Sequence, residues 1–66
     1  SAQLAQGKIY AVPGERESEL RGSFFVKSRG EENGASILRV LSQEPQPGEP
    51  LAPTMEDGYL CAIKGL

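Results

Sequence analysis

Four of the five prolines of this chain, Pro45, Pro47, Pro50 and Pro53, fall within nine consecutive residues. Proline has no backbone N–H to donate to a β-ladder, and inside an α-helix it clashes with the preceding turn. A helix or central strand is therefore not expected to pass through residues 44–53. We predict that this segment is an extended connector on the surface, and that the element preceding it ends there.

The residues before the connector carry the two-residue periodicity of β-strands. Residues 8–12 and 23–29 alternate and are rich in β-formers, and each run is followed by glycine-containing turn residues. Residues 35–43 fit either a buried strand or a helical stripe. The preceding Asn33-Gly34 pair is a strong hairpin signal, and Ile37 and Val40 are β-branched, so we favour a strand returning against residues 23–29.

The remaining segments are assigned from composition and turn residues. Residues 1–6 are small and polar and predict a flexible N-terminus, whereas the charged stretch 15–21 predicts a solvated loop or a single turn. After the connector, Glu56-Asp57-Gly58 separates two apolar runs, which is typical of a hairpin turn. We therefore expect two final strands, at 52–55 and 59–64.

Together these segments predict one small β domain over residues 7–66. A chain of 66 residues buries only about 60% of the surface that it exposes when unfolded, which is too little for two packed sheets. The expected fold is mainly β, a small curled antiparallel sheet or a partly open barrel of the SH3-like or OB-like kind. The alternative is an α+β fold with one helix at 35–43.

Composition argues against most catalytic chemistry. The chain has no histidine, so the commonest general base is missing. Its single cysteine, Cys61, lies in an apolar run where we expect it to be buried. The usual zinc ligands are therefore missing as well. The carboxylate pairs Glu31-Glu32 and Glu56-Asp57 both lie in predicted turns, where water solvates them and no pKa shift is expected. We expect no enzyme activity, no catalytic residue, no metal site and no cofactor.

The function favoured by these observations is a protein-binding or assembly module, which docks on a larger protein or on copies of itself. Phe25, Lys27 and Arg29 are predicted on one strand face, and Tyr59 and Ile63 on a face that a single sheet leaves uncovered. With Tyr10 from the neighbouring strand, the expected partner-binding residues are Tyr10, Phe25, Lys27, Arg29, Tyr59 and Ile63.

Two other functions stay open. Tyr10, Phe25, Lys27 and Arg29 together resemble the aromatic and basic surface of an OB-like domain that binds single-stranded nucleic acid, although a net charge of −2 weakens the electrostatic attraction. The chain is also compatible with a small subunit of a multi-chain enzyme. No segment has the roughly 20 apolar residues that a membrane span requires, so no membrane partner is expected, and a cytoplasmic location is favoured over secretion.

Overall fold

The computed structural model describes all residues, Ser1–Leu66, as one α+β domain. In chain order the elements are the 3-10 helix η1 (Ala2–Ala5), strand β1 (Ile9–Pro13), the 3-10 helix η2 (Gly14–Glu19), strands β2 (Phe25–Glu32), β3 (Ala35–Leu41) and β4 (Glu49–Pro50), and helix α1 (Met55–Lys64). The strands form one antiparallel sheet in the order β2-β3-β1-β4. The predicted antiparallel sheet is confirmed. It stays open, with β2 and β4 at its edges, and does not close into a barrel.

The β2–β3 hairpin forms where the Asn33-Gly34 pair predicts it. Both residues have positive φ, 53° for Asn33 and 80° for Gly34, as a two-residue type I′ turn requires. The strand predicted at 35–43 is confirmed as β3, and the alternative helix at 35–43 is wrong. β2 continues to Glu32, so the loop is shorter than the five-residue stretch 30–34 suggested.

A β-bulge at Lys27 changes which side chains share a face of β2. Val26 lies opposite Val40, but Ser28 lies opposite Arg39, so Lys27 is an extra residue in the ladder. Beyond the bulge Arg29 lies opposite Leu38. The prediction that Phe25, Lys27 and Arg29 share one face is therefore wrong for Arg29, because the inserted residue reverses the alternation.

Each face of the sheet carries a thin apolar core. We call the side covered by η1 and α1 the helix face, and the side covered by η2 the η2 face. The core of the helix face is built from Ala5, Ile9, Leu41 and Cys61. The core of the η2 face is built from Val12, Leu38 and Val40, with Leu20 packed against them. The burial predicted for Cys61 is confirmed.

The proline-rich connector covers one edge of the sheet. Within it, the two residues of β4 pair with β1, and the backbone N–H of Leu51 donates to the carbonyl of Ile9 at 2.8 Å. Gly48 passes so close to β1 that a Cβ atom there would collide with the carbonyl oxygen of Ala11. The connector thus hides an edge that would otherwise present unpaired backbone groups.

The hairpin predicted after the connector is wrong, because Met55–Lys64 form helix α1. Thr54 begins the helix as part of a capping box. Its hydroxyl accepts from the Asp57 backbone N–H at 3.2 Å, and the Asp57 carboxylate accepts from the Thr54 backbone N–H at 2.7 Å. Gly65, in the left-handed conformation, ends the helix. No helix in the chain is both long and apolar enough to cross a bilayer.

The N-terminal segment packs on α1. Ala5 of η1 is fully buried, and Gly58 of α1 lies against the Ser1 carbonyl, where a Cβ atom has no room. Gly58, which the sequence analysis assigned to a turn, therefore lies inside the helix and allows this close approach. The flexibility expected for residues 1–6 stays a prediction.

Candidate functional site

The outward face of α1 carries a row of large apolar side chains. Met55, Tyr59 and Ile63 are spaced four residues apart, which aligns them along one side of the helix. Their exposed fractions are 76%, 65% and 60%. The outward face of a surface helix is usually polar, so this row, which we call the apolar ridge, is the reverse of the usual pattern.

Ionic contacts of Asp57 set the orientation of α1 on the sheet. Its buried carboxylate accepts from Lys27 Nζ at 2.9 Å, from Arg39 Nη2 at 2.6 Å and from Arg39 Nε at 3.2 Å. We call Asp57, Lys27, Arg39 and Thr54 the Asp57 cluster. Since Lys27 is on β2 and Arg39 on β3, the cluster ties the first turn of α1 to two strands. With Asp57, Gly58 and Cys61 facing inward, the apolar ridge faces solvent.

Glu56 completes the charge balance of the Asp57 cluster, in which one carboxylate faces two cations, by pairing with Lys27 at 2.8 Å. Burial alone would raise the pKa of the Asp57 carboxyl, but hydrogen bonds from Arg39, the Thr54 backbone and Lys27 outweigh it and hold that pKa well below its usual range. Hydrogen bonds to Glu56 and Asp57 raise the pKa of Lys27, and the bond to Asp57 raises the pKa of Arg39. Every buried side-chain polar atom has a hydrogen-bond partner, so the cluster positions the helix and holds no uncompensated acid or base.

Of the six predicted partner-binding residues, the structure brings Tyr59 and Ile63 together on one exposed surface. Phe25 is half-buried against the core of the helix face, and Lys64 Nζ lies 3.9 Å from the centroid of its ring. Lys27 belongs to the Asp57 cluster. Phe25 and Lys27 are therefore already in contact with other parts of the domain.

Tyr10 and Arg29 lie on the opposite side of the sheet. Tyr10 packs half-buried against the core of the η2 face. Arg29 is exposed and binds Glu17 of η2 through two hydrogen bonds, of 3.0 and 2.7 Å. The aromatic and basic surface expected for a nucleic-acid partner is thus not assembled, because its four residues are divided between two faces and both cations are ion-paired.

Met55 also belongs to the exposed surface but was not among the residues predicted from the sequence. Two signals in the sequence indicate it: Thr54 and Asp57 have the spacing of a capping box, and Met55, Tyr59 and Ile63 recur with a helical period of four. Both signals are local. The Asp-Gly pair, interpreted as a turn, led to the strand assignment instead.

The rest of the surface offers shallow depressions, the largest of about 450 Å³. No group of three or more His, Cys, Asp or Glu side chains is placed to hold a metal ion. Cys61 is buried, and desolvation raises the pKa of its thiol, which disfavours the reactive thiolate form.

In comparisons with known proteins, no protein-family model, no curated protein and no solved structure matches this chain.

Proposed function

We propose that this domain is a protein-binding module that docks through the apolar ridge of α1 onto a larger partner protein. The observation that supports the proposal is the alignment of Met55, Tyr59 and Ile63, each more than half exposed, along one side of a helix. Apolar side chains that recur along one side of a helix are the anchors used when a helix binds in a groove. Covering them removes apolar area from water, which favours association.

The shape of the ridge favours a larger partner over a second copy of the chain. The ridge is one side chain wide, so a groove encloses it on both sides, whereas two such ridges meeting across a two-fold axis touch along a line. A stable interface buries about 800 Å² of each partner. That is roughly a fifth of the 4202 Å² of accessible surface on this domain. A groove that surrounds α1 supplies this area more readily than a second ridge.

The Asp57 cluster supports the same function. It contacts the first turn of α1 and fixes the rotation of the helix on the sheet, so the ridge is presented without a conformational change. A pre-organised surface loses little conformational entropy on binding. The proposal therefore predicts that the free domain already has the binding-competent conformation of α1.

Site-specific photo-crosslinking tests the proposal. A photoreactive phenylalanine analogue replaces Tyr59 in the chain expressed in its source cells, and a matched control places the same analogue at exposed Ser18 of η2. We expect the probe at position 59 to form a covalent adduct with one larger protein, and the probe at position 18 to form none. Equal crosslinking at both positions, or none at position 59, contradicts a docking role for α1.

Substitution of the ridge measures its contribution once the partner is isolated. Tyr59→Ser and Ile63→Ser should each weaken binding about tenfold or more, the effect of removing a central apolar anchor. Leu4→Ser, which removes an exposed apolar side chain from η1, is the control and should leave binding unchanged. Sedimentation equilibrium identifies self-association, which the proposal does not predict.

A further inference from the structure

A second apolar surface lies on the helix face of the sheet, beyond the part that η1 and α1 cover. Two adjoining depressions of about 300 and 450 Å³ open there, and both are lined by Pro13, Glu32 and Ile37. Ala11 and Leu51 extend the first of them. We call the half-buried side chains of Ala11, Pro13, Ile37 and Leu51 the open floor.

The open floor has an acidic rim. Glu15, Glu32 and Glu49 line the two depressions, are exposed and form no ion pair. Arg16 is the one cation that lines them, and its guanidinium is bound to Glu19 at 2.8 Å. The rim therefore has an uncompensated negative charge around an apolar centre.

We propose that the open floor binds a basic amphipathic segment of a partner protein. Apolar side chains of that segment lie on Pro13 and Ile37, and its lysine or arginine side chains pair with Glu32 and Glu49. Charge complementarity identifies this occupant, because an acidic rim repels phosphate-bearing ligands and attracts cationic side chains. The surface does not include the apolar ridge, so the inference is independent of the function proposed for α1.

The charges of the chain itself argue against a second copy as the occupant. Four of its seven cationic side chains are ion-paired within the domain: Arg16, Lys27, Arg29 and Arg39. Of the other three, Lys8 donates to the Leu66 carbonyl and Lys64 lies over the Phe25 ring. Only Arg21 has neither kind of contact, so a second copy has few cations to offer the rim.

A peptide titration followed by ¹⁵N NMR tests the inference. The probe is a helical peptide with leucines on one face flanked by lysines, and the control peptide has glutamates in place of the lysines. We expect the lysine peptide to shift the amide signals of the open floor and its rim, and the glutamate peptide to shift none. Binding should weaken as salt screens the charges.

Matched variants distinguish binding at the open floor from a general attraction of the lysine peptide to an acidic protein. Glu32→Gln combined with Glu49→Gln should weaken the lysine peptide about five- to tenfold, since each exposed charge pair contributes modestly. Glu31→Gln removes one charge from the next residue, which lines neither depression, and should weaken the lysine peptide less than about twofold. Tyr59→Ser on the apolar ridge should also leave this binding unchanged.

Four results would overturn the inference. The first two are a lysine peptide that does not bind and a glutamate peptide that binds equally well. The other two are an equal weakening of the lysine peptide by Glu31→Gln and a loss of its binding in Tyr59→Ser. Concentration-dependent shifts of the open floor without peptide would identify a second copy as its occupant and overturn the inference as well.

Discussion

Replacing Asp57 with asparagine removes one negative charge from the Asp57 cluster while keeping the size of the side chain. In the native domain this carboxylate is fully buried and accepts hydrogen bonds from Lys27, Arg39 and the Thr54 backbone. The asparagine side chain still has one oxygen for the helix cap. Arg39, however, loses its only counter-ion, and Lys27 keeps only its ion pair with the exposed Glu56.

The expected cost is a large share of the stability of the domain. Removing one partner of a buried ion pair costs about 3–5 kcal/mol, because the remaining charge stays desolvated. The side chains of Lys27 and Arg39 are 15% and 25% exposed, and partial hydration places the expected loss near the lower end of that range. A domain of 66 residues has a free energy of unfolding of roughly 3–10 kcal/mol. The variant should therefore lose between about a third and all of this free energy of unfolding.

Urea denaturation followed by circular dichroism measures this loss, and Glu56→Gln is the matched control. Glu56 also binds Lys27, at 2.8 Å, but its side chain is 70% exposed. Its replacement should cost less than about 1 kcal/mol, as for other exposed ion pairs. If Asp57→Asn costs no more than Glu56→Gln, burial does not make the ion pairs of Asp57 stronger than an exposed pair.

The pH dependence gives a second measurement with a defined sign. The pKa of Asp57 is lower in the folded domain than in the unfolded chain, so ionisation contributes stability above the unfolded pKa, about 4, and that stability is lost as pH falls through the folded pKa. The difference in unfolding free energy between wild type and Asp57→Asn should shrink as the pH falls below about 4. A difference that stays constant with pH would refute the assignment.

Other predictions concern single contacts. Thr54→Ala should lower the free energy of unfolding by about 1 kcal/mol through loss of the helix cap, and Thr54→Ser should restore most of it in the same denaturation assay. Gly48→Ala should cost about 1–3 kcal/mol because its Cβ meets the Ala11 carbonyl, whereas Gly30→Ala, which meets nothing, should be nearly neutral. Cys61 should react with a thiol reagent only as fast as the domain opens, because its side chain is buried and burial also raises the pKa of the thiol. Rapid reaction in native buffer would contradict this burial.

The correctly predicted elements are those whose signals are local. β1 follows from a short alternating run, and the β2–β3 hairpin follows from Asn33-Gly34, whose residues both accept positive φ. Where the local signals conflicted, the prediction failed. Gly58 is unfavourable in a helix by about 1 kcal/mol, and together with Asp57 it suggested a turn. In the fold, Asp57 caps the helix and Gly58 accommodates the Ser1 carbonyl.

The candidate site was predicted only in part, for the same physical reason. Tyr59 and Ile63 were selected on an incorrect strand assignment, yet their spacing of four residues also aligns them on a helix. Arg29 was placed beside Phe25 because the alternation was assumed to be unbroken. The bulge at Lys27 reverses it and brings Arg29 to Glu17.

Local sequence signals are enough to locate the hairpin turn, to show that no helix or central strand passes through the proline-rich connector, and to show that no imidazole is available for chemistry. Which face of α1 is exposed, and which cations remain available to a partner, depend instead on how the elements pack together. Those outcomes depend on contacts such as that between Lys27 and Asp57, which are 30 residues apart in the chain. Burial and charge pairing between distant segments leave no local pattern, because their free energy arises only when the segments meet.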